Sequence, residues 1–439
     1  MKITFFGAAG EVGRSCFLVE NDDTKILLDA GVKLTEQQVE LPLIRKEELA
    51  GVRAIIISHA HLDHCGYLPY LFSMGFEGNI YATKPTLELA NVIVNDYLKI
   101  SKPKEVTKQG MAKMVRYYRN VEYFKEFTVG SFAIKLYPAG HILGSAMIKV
   151  DDMHTGKSLF YTGDMNTRST RLLPPAYSEH LHADTIMTES TYGGNADVFP
   201  SEKEVLGSFI NSIKETINMG NKVIIPSFAV GRAQEVLFIL NDFMRSGILP
   251  QAPIYIDGMI TKAMRIYRHN VIFCKEELQK QILMSDDDPF KSKFFNEVKG
   301  RHERSKVVES KESCIVVTTS GMLKGGPIVK YLEKLASNEN DKLILVGYQA
   351  IGTPGRMLME GNKNLEMNGK KIEIKMKVEQ YKLSAHADRP SLMKFMGKIS
   401  GLKNVIIIHG EPGKMAEFAN ALKDKYTVHM PTLGSSLEV

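Results

Sequence analysis

From Ala54 to Gly66 the chain reads Ala-Ile-Ile-Ile-Ser-His-Ala-His-Leu-Asp-His-Cys-Gly. The run Ala54 to Ser58 is short, apolar and rich in β-branched residues, which predicts a buried strand. His59, His61, Asp63 and His64 come at once after it, so three imidazoles and a carboxylate fall within six residues. On a loop leaving a buried strand, donors spaced this closely can converge on a cation. Mixed nitrogen and oxygen donors suit Zn2+, with Mn2+ or Fe2+ as weaker candidates. A lone histidine would read as a surface or packing residue; four ligand-type residues in this order do not.

Working outward, further short apolar runs predict buried strands at Ser158 to Asp164, Lys222 to Ser227 and Lys342 to Gly347. Helical patterns cover Thr86 to Ile100, Ser201 to Ile217, Arg232 to Arg245 and Pro327 to Leu335. Strands and helices so mixed predict an α/β chain with helices covering the sheet faces. Its 439 residues suffice for two or three domains at roughly 100–200 residues each. An apolar share of 44% with a net charge of only +6 excludes intrinsic disorder. No apolar run approaches the roughly 18 residues of a membrane span, so no membrane partner is expected. The opening MKITFFGAAGEVG reads as a first strand rather than a signal peptide. Cys16, Cys65, Cys274 and Cys314 lie far apart with no CxxC pair, which argues against disulfides and thiolate metal sites and predicts a cytoplasmic protein. The mildly basic balance permits a nucleic-acid partner. Two stretches read as surface excursions: Tyr97 to Asn120, with seven Lys/Arg against one Glu, and Asp286 to Ser313, of mixed charge. The first could track a phosphate backbone and stack bases, or be one solvated helical face.

The string His59 to His64 resembles the HxHxDH motif of the metallo-β-lactamase fold, an αββα sandwich that binds two metals at one end. Ala139-Gly140-His141, with Leu143-Gly144-Ser145-Ala146 just after it, is similar to the family's next motif, and Thr162-Gly163-Asp164 to the aspartate that bridges both metals. Asp29, in Leu27-Leu28-Asp29-Ala30-Gly31, resembles its early aspartate, placed to orient a ligand imidazole. The resemblance implies that His59, His61 and His141 hold one metal. Asp63, His64 and a further histidine hold the other, with Asp164 between them. Two Zn2+ ions are expected, Mn2+ being the substitute. A pair of divalent ions lowers the pKa of water and stabilises negative oxygens as they develop, which serves a phosphodiester, a lactam or a thioester alike.

Motifs beyond Asp164 select a branch of that fold. Glu189-Ser190-Thr191-Tyr192-Gly193, Ser384-Ala385-His386-Ala387-Asp388 and His409-Gly410-Glu411 resemble the three motifs of the β-CASP nucleic-acid-processing members. Pro226 to Arg232 resembles their PSFAVGR turn, and Ser320 to Pro327 their SGMLxGGP loop. With the opening GAAGEVGRSC, the likeness spans nearly the whole chain and is nearest to the cleavage and polyadenylation specificity factor nuclease type. It implies a metallo-β-lactamase αββα sandwich built from residues 1–190 and 379–439, and an inserted α/β β-CASP domain over 191–378 that closes over the active site. The segment after Gly194 departs from the family's basic, His-containing stretch. The chain also begins at the catalytic domain, without room for the N-terminal RNA-binding modules of some archaeal relatives.

Residue by residue, the likeness makes His409 the remaining metal ligand and His386 the general acid, with Asp63 and Glu189 as its catalytic carboxylates. Glu189 would hold the His386 imidazole charged, or the two would form only a structural pair. Ser227 and Arg232 would bind phosphate at a helix N-terminus, or be an N-cap serine and a salt-bridged arginine. Gly325 and Gly326 would let a ligand approach the backbone, or merely make the turn. The expected activity is a zinc-dependent endoribonuclease acting on single-stranded RNA, in RNA processing or 3′-end maturation. Its partners would be RNA and, as the family allows, a second copy or an RNA-processing complex. The rivals are a 5′–3′ exoribonuclease, a non-catalytic RNA-binding subunit and a small-molecule hydrolase. His154, His180, His182, His269, His302 and His429 lack such context and read as ordinary surface or packing residues.

Overall fold

The computed structural model describes residues 1–35, 38–285, 287–367 and 369–439. The chain divides into two units, the first formed by Met1–Ser169, Leu173–Val198 and His386–Val439, the second by Thr170–Leu172 and Phe199–Ala385.

Two seven-stranded sheets make the first unit. In one, the strands run in the order Ser436–Glu438, Lys2–Phe5, Phe17–Glu20, Lys25–Leu28, Val52–Ile56, Asn79–Ala82, Tyr118–Asn120. In the other they run Thr427–His429, Asn404–Ile408, Thr185–Glu189, Ser158–Tyr161, Ala146–Asp152, Phe132–Pro138, Glu126–Val129. Period-two patterning explains how they stack. Ile406 and Ile408 face the shared core with Phe5, Phe17, Ile26, Ile56, Ile134 and Ile148. The residues between and beside them, Val405 and Ile407, face outward against Leu392, Phe395, Met415 and Phe418 of two helices, Arg389–Met396 and Pro412–Leu422. Along the strand Ser158–Tyr161, Leu159 and Tyr161 point inward while Phe160 joins the helix-covered layer. The result is the expected αββα sandwich. The run Ala54 to Ser58 is strand as far as Ile56, and the ligand-type residues leave its carboxyl end on a loop and the short helix Leu62–Cys65.

The second unit is an α/β layer of six parallel strands ordered Phe295–Val298, Ile254–Asp257, Ile315–Thr318, Val223–Pro226, Lys342–Leu345, Lys377–Gln380. Its core sets Ile224, Val316, Leu343 and Leu345 against Tyr331 and Leu332 of the helix Pro327–Leu335. The helix Glu202–Asn218 opens with a capping box: Ser201 Oγ accepts from the Glu204 N–H and the Glu204 carboxylate accepts from the Ser201 N–H, an arrangement worth about 1 kcal/mol.

Both stretches lie largely at the surface, as expected, but each is tied into the fold at a few points. Tyr97 is buried in the helix Lys84–Ser101, its hydroxyl 2.8 Å from that of Tyr70. The helix Lys108–Arg116, capped by Thr107, rests Gly110 against Ser73, where any side chain would collide. Tyr118–Asn120 then closes the edge of the first sheet. Of the second stretch, Asp286 lies outside the described residues. The remainder supplies the edge strand Phe295–Val298 and the helix Arg301–Glu309, with Phe294 buried. Dense charge on the solvent side hid a strand of only four residues.

Candidate metal centre

All the ligand-type residues lie in the first unit, beyond the carboxyl ends of strands of both sheets, on loops and, for Asp63 and His64, on the short helix Leu62–Cys65. Three of them are aimed by left-handed backbone. Gly163 holds φ 52°, at a point where a Cβ would collide with Ser58, and so turns Asp164 inward just after the strand Ser158–Tyr161. Gly140, at φ 70°, is packed against the backbone of Asn166 and Ala176, and presents His141. The Ser145 hydroxyl accepts from the His141 and Ile142 N–H groups and locks that loop. His409 itself has φ 48°, pinned by its N–H to the Ala8 carbonyl at 2.8 Å.

The side chains gather into two sets that share one carboxylate. In the first, His61 Nδ1 lies 3.2 Å from His59 Nε2 and 3.1 Å from His141 Nε2. Asp164 Oδ2 is 3.6 Å from His59 Nε2 and 3.8 Å from His141 Nε2. In the second, His409 Nε2 lies 3.4 Å from Asp63 Oδ2, and His64 Nε2 lies 4.0 Å from it. Asp164 Oδ1 is 3.4 Å from His64 Nε2 and from the His409 ring. Donor atoms of His59, His61, His141 and Asp164 lie within 4.8 Å of one another, as do those of Asp63, His64 and His409 and those of Asp164, Glu189 and His409, close enough to hold an ion.

Two observations fit these sets to divalent cations. Ligand bonds of about 2.0–2.1 Å in a tetrahedron place neighbouring nitrogens roughly 3.3 Å apart, which the imidazole spacings approach. His64 Nε2 and Asp164 Oδ1 are buried without a hydrogen-bond partner. Leaving each so costs about 1–3 kcal/mol, an outlay that a cation between them would offset.

The tautomers are fixed from behind. Asp29 accepts from the Ser58 N–H at 2.7 Å, from the Ser58 hydroxyl at 2.7 Å and from the Tyr161 hydroxyl at 2.6 Å. Its Oδ2 also faces His64 Nδ1 at 2.7 Å, so that nitrogen carries a proton and Nε2 is the atom turned to the centre, where a bound cation would take its lone pair. Ser58 Oγ sits 3.1 Å from His59 Nδ1 and leaves that ring's Nε2 directed inward as well. Electrostatics differ from ring to ring: burial opposes charge on His64, yet Asp164 and then Asp29 outweigh it and raise that ring well above the usual histidine range. Burial, with the neighbouring His64 next, holds His59 far below the usual histidine range and keeps it neutral. Burial works against the charge on Asp63, yet His64 and His409 outweigh it and hold the carboxyl below its ordinary value. Asp29→Ala is expected to weaken metal binding about 10–100-fold while leaving the ligands in place, as a chelator competition titration would show.

Glu189 and His386 also meet within this unit. Glu189 is buried, accepts from the Met165 N–H at 2.7 Å, and lies 2.9 and 3.1 Å from His386 Nδ1. Burial opposes charge on His386, but Glu189 and then Asp164 outweigh it and raise the ring to about 9. Its ring centroid is 4.6 Å from that of His141. Asp388 caps the helix Arg389–Met396 and pairs with Arg168 at 3.2 Å, so the segment bearing His386 is held on both sides.

The four residues expected to bind phosphate lie in the second unit, Ser227, Gly325 and Gly326 on loops after adjacent strands and Arg232 at the start of a helix. Ser227 Oγ is buried without a partner, but the N-cap is Gly231, whose N–H donates to Gln234 Oε1 at 2.7 Å. The N-cap-serine alternative is therefore wrong. Arg232 begins the helix Arg232–Arg245 and is buried. Gly326 caps the helix Pro327–Leu335 at φ 75°, and Gly325, at φ 136°, is open on its Cβ side. Sequence reasoning missed Ser58 and Tyr161, the partners of Asp29. Their only signal was position, one directly before the first ligand histidine and the other just before Thr162-Gly163-Asp164. The histidines set aside stay apart: His154 and His182 are exposed, with Asp23 and Ser400 beside them.

A helix-flanked double-sheet sandwich with two donor sets sharing an aspartate at its strand ends defines the metallo-β-lactamase class of fold. Family descriptions match it in three parts: "Metallo-beta-lactamase superfamily domain" over 18–191, "Beta-Casp domain" over 233–358, and "Zn-dependent metallo-hydrolase RNA specificity domain" over 371–431. The chain belongs to the β-CASP branch of the metallo-β-lactamase superfamily. It is 38% identical over 441 residues to an RNase J-like protein of Methanocaldococcus jannaschii, covering 100% of this chain and 99% of that one. It is 37% identical over 440 residues to the transcription termination factor FttA of the same organism, covering 96% of this chain and 69% of that one. FttA of Pyrococcus abyssi is 36% identical over 97% of this chain and 69% of its own. A solved structure of a protein of unknown function from Enterococcus faecalis V583 aligns with a TM-score of 0.59 over 99% of both chains at 13% identity, a likeness of fold alone. Among the described residues no helix is long and apolar enough to cross a membrane.

Proposed function

We propose that the chain is a two-zinc endoribonuclease that cuts single-stranded RNA in the cytoplasm, in RNA processing or 3′-end formation. The observation that carries this reading is the placement of Asp164 between two donor sets, with the Glu189–His386 pair beside them. His59, His61 and His141 would hold one ion, Asp63, His64 and His409 the other, and Asp164 both. Bound there, two divalent ions supply a water of lowered pKa and a positive field for phosphoryl oxygens. The chain supplies the rest. Asp29, Ser58 and Tyr161 keep the ligand imidazoles in the required tautomer. Glu189 holds the proton on His386 Nδ1, so the charged ring presents Nε2–H to the substrate side. As water displaces the ribose oxygen at phosphorus, His386 protonates that oxygen. In the second unit Ser227, Arg232, Gly325 and Gly326 are proposed to contact phosphates of the bound strand.

A 5′–3′ exonuclease is the second reading, favoured by the full-length likeness to a protein named RNase J-like. A covalently closed single-stranded RNA separates the two. The metal-replete chain is expected to linearise the circle, which has no end for an exonuclease to enter. A circle left intact beside a degraded linear control would make the activity exonucleolytic.

A further inference from the structure

The loop between the strands Lys2–Phe5 and Phe17–Glu20 supplies none of the ligand-type residues, yet it is bonded to the backbone of two of them. The His409 N–H donates to the Ala8 carbonyl at 2.8 Å, and the Gly410 N–H to the Glu11 carbonyl at 3.2 Å. At the far end of the loop the Ser15 N–H donates to the Asp63 carbonyl at 2.8 Å, and the Ser15 carbonyl accepts from the Gly31 N–H at 2.8 Å. One arm of the loop thus holds His409 and the other holds Asp63. Their side chains face each other across the second donor set, His409 Nε2 at 3.4 Å from Asp63 Oδ2.

The spacing between the arms is fixed inside the loop. Gly7 lies so close to Arg14 that a Cβ would come within 1.7 Å of the Arg14 carbonyl oxygen. Ala8 and Arg14 hold φ 54° and 44°, left-handed conformations that a residue with a side chain keeps only where its surroundings enforce them. Charged groups do the enforcing. Arg14 Nε and Nη2 donate to the two Glu11 oxygens at 2.5 and 3.3 Å, and Arg14 Nη1 donates to the Leu41 carbonyl at 2.9 Å. Lys33 Nζ donates to Glu11 Oε2 at 2.6 Å. Glu40 closes the network, 3.3 Å from Lys33 and 3.5 Å from Arg14. The Arg14 and Glu11 side chains are only 12% and 15% exposed, so solvent screens the pair weakly. The first donor set is braced by other groups, His141 by the Ser145 hydroxyl and His59 by that of Ser58.

We propose that Glu11 and Arg14 are positioning residues for the second metal site, fixing the separation of Asp63 and His409 through the loop they close. A metal site needs its ligand atoms held to within about 0.5 Å, and a loop bonded to both ligand backbones can supply that precision. The inference rests on the two-metal reading above and extends it to residues outside both donor sets.

The test is chelator competition for zinc on the full chain, in two backgrounds that each disable one set. His61→Ala breaks the first and Asp63→Ala the second. Adding Glu11→Gln is expected to weaken the remaining zinc about tenfold in the His61→Ala background and by less than about twofold in the Asp63→Ala background. A general loosening of the fold would weaken both alike, so the contrast between backgrounds is the readout. Lys33→Gln, which takes away one of the two cations on Glu11, should act in the same direction. If Glu11→Gln fails to fold, Lys33→Gln, at a more exposed side chain, decides. Zinc weakened equally in both backgrounds, or in neither, overturns the proposal. A wild type that binds fewer than two zinc ions overturns the two-metal reading and this inference with it.

Discussion

Asp164→Ala is expected to lower RNA cleavage by at least about 10³-fold and to leave no more than one metal bound per chain. Among the described residues Asp164 is the one side chain with an oxygen turned to each donor set: Oδ2 faces His59 and His141, and Oδ1 faces His64 and His409. Removing it takes a negative charge from between imidazoles that are otherwise crowded together, so both ion positions lose their shared anchor. The fold should survive, since Asp164 lies on a loop beyond the last residue of its strand and contributes nothing to the cores on either side of it. Circular dichroism and the unfolding midpoint would establish this. His61→Ala should act in the same direction on the first position, because its Nδ1 is the neighbour of both His59 and His141. Either variant retaining full activity would refute the ligand assignment.

His386→Ala carries the second-largest expected effect, a loss of roughly 10²–10⁴ in kcat with both metals still bound. The metal count matters, because it separates this residue from the ligands. His386 faces Glu189 and lies beside the His141 ring, but it belongs to neither donor set. The rival view, that Glu189 and His386 form only a structural pair, also predicts an activity loss. Substrate chemistry distinguishes the two. A phosphodiester whose departing ribose oxygen is replaced by sulfur needs no proton to leave. It should be cut by His386→Ala at close to the wild-type rate if the residue is the acid, whereas a structural defect would slow it as much as ordinary RNA.

How far the sequence discloses this centre depends on how local each part is. His59 to His64 are contiguous, so their chemistry and the strand before them can be read together. The strand stops at Ile56 and the ligands occupy the turn after it. His141, Asp164 and His409 are each single residues in glycine-containing turns, and only their order and flanking motifs single them out. Asp29 stood out by its motif, but its partners Ser58 and Tyr161 did not, because a serine and a tyrosine become functional only when register brings their hydroxyls onto one carboxylate. The helices Arg232–Arg245 and Pro327–Leu335 matched the residue pattern at both ends. The charged stretches did not. Local composition reports solvent on one side of an element, whereas Phe294 and Tyr118–Asn120 are placed by the groups they pack against or pair with.

The central claim is that two cations sit on either side of one carboxylate. Anomalous scattering from crystals of the zinc-replete chain tests it most directly. Two peaks about 3.5–4 Å apart are expected, one against His59, His61 and His141 and one against Asp63, His64 and His409, with Asp164 touching both. A single peak, or peaks that do not contact Asp164, would contradict the account.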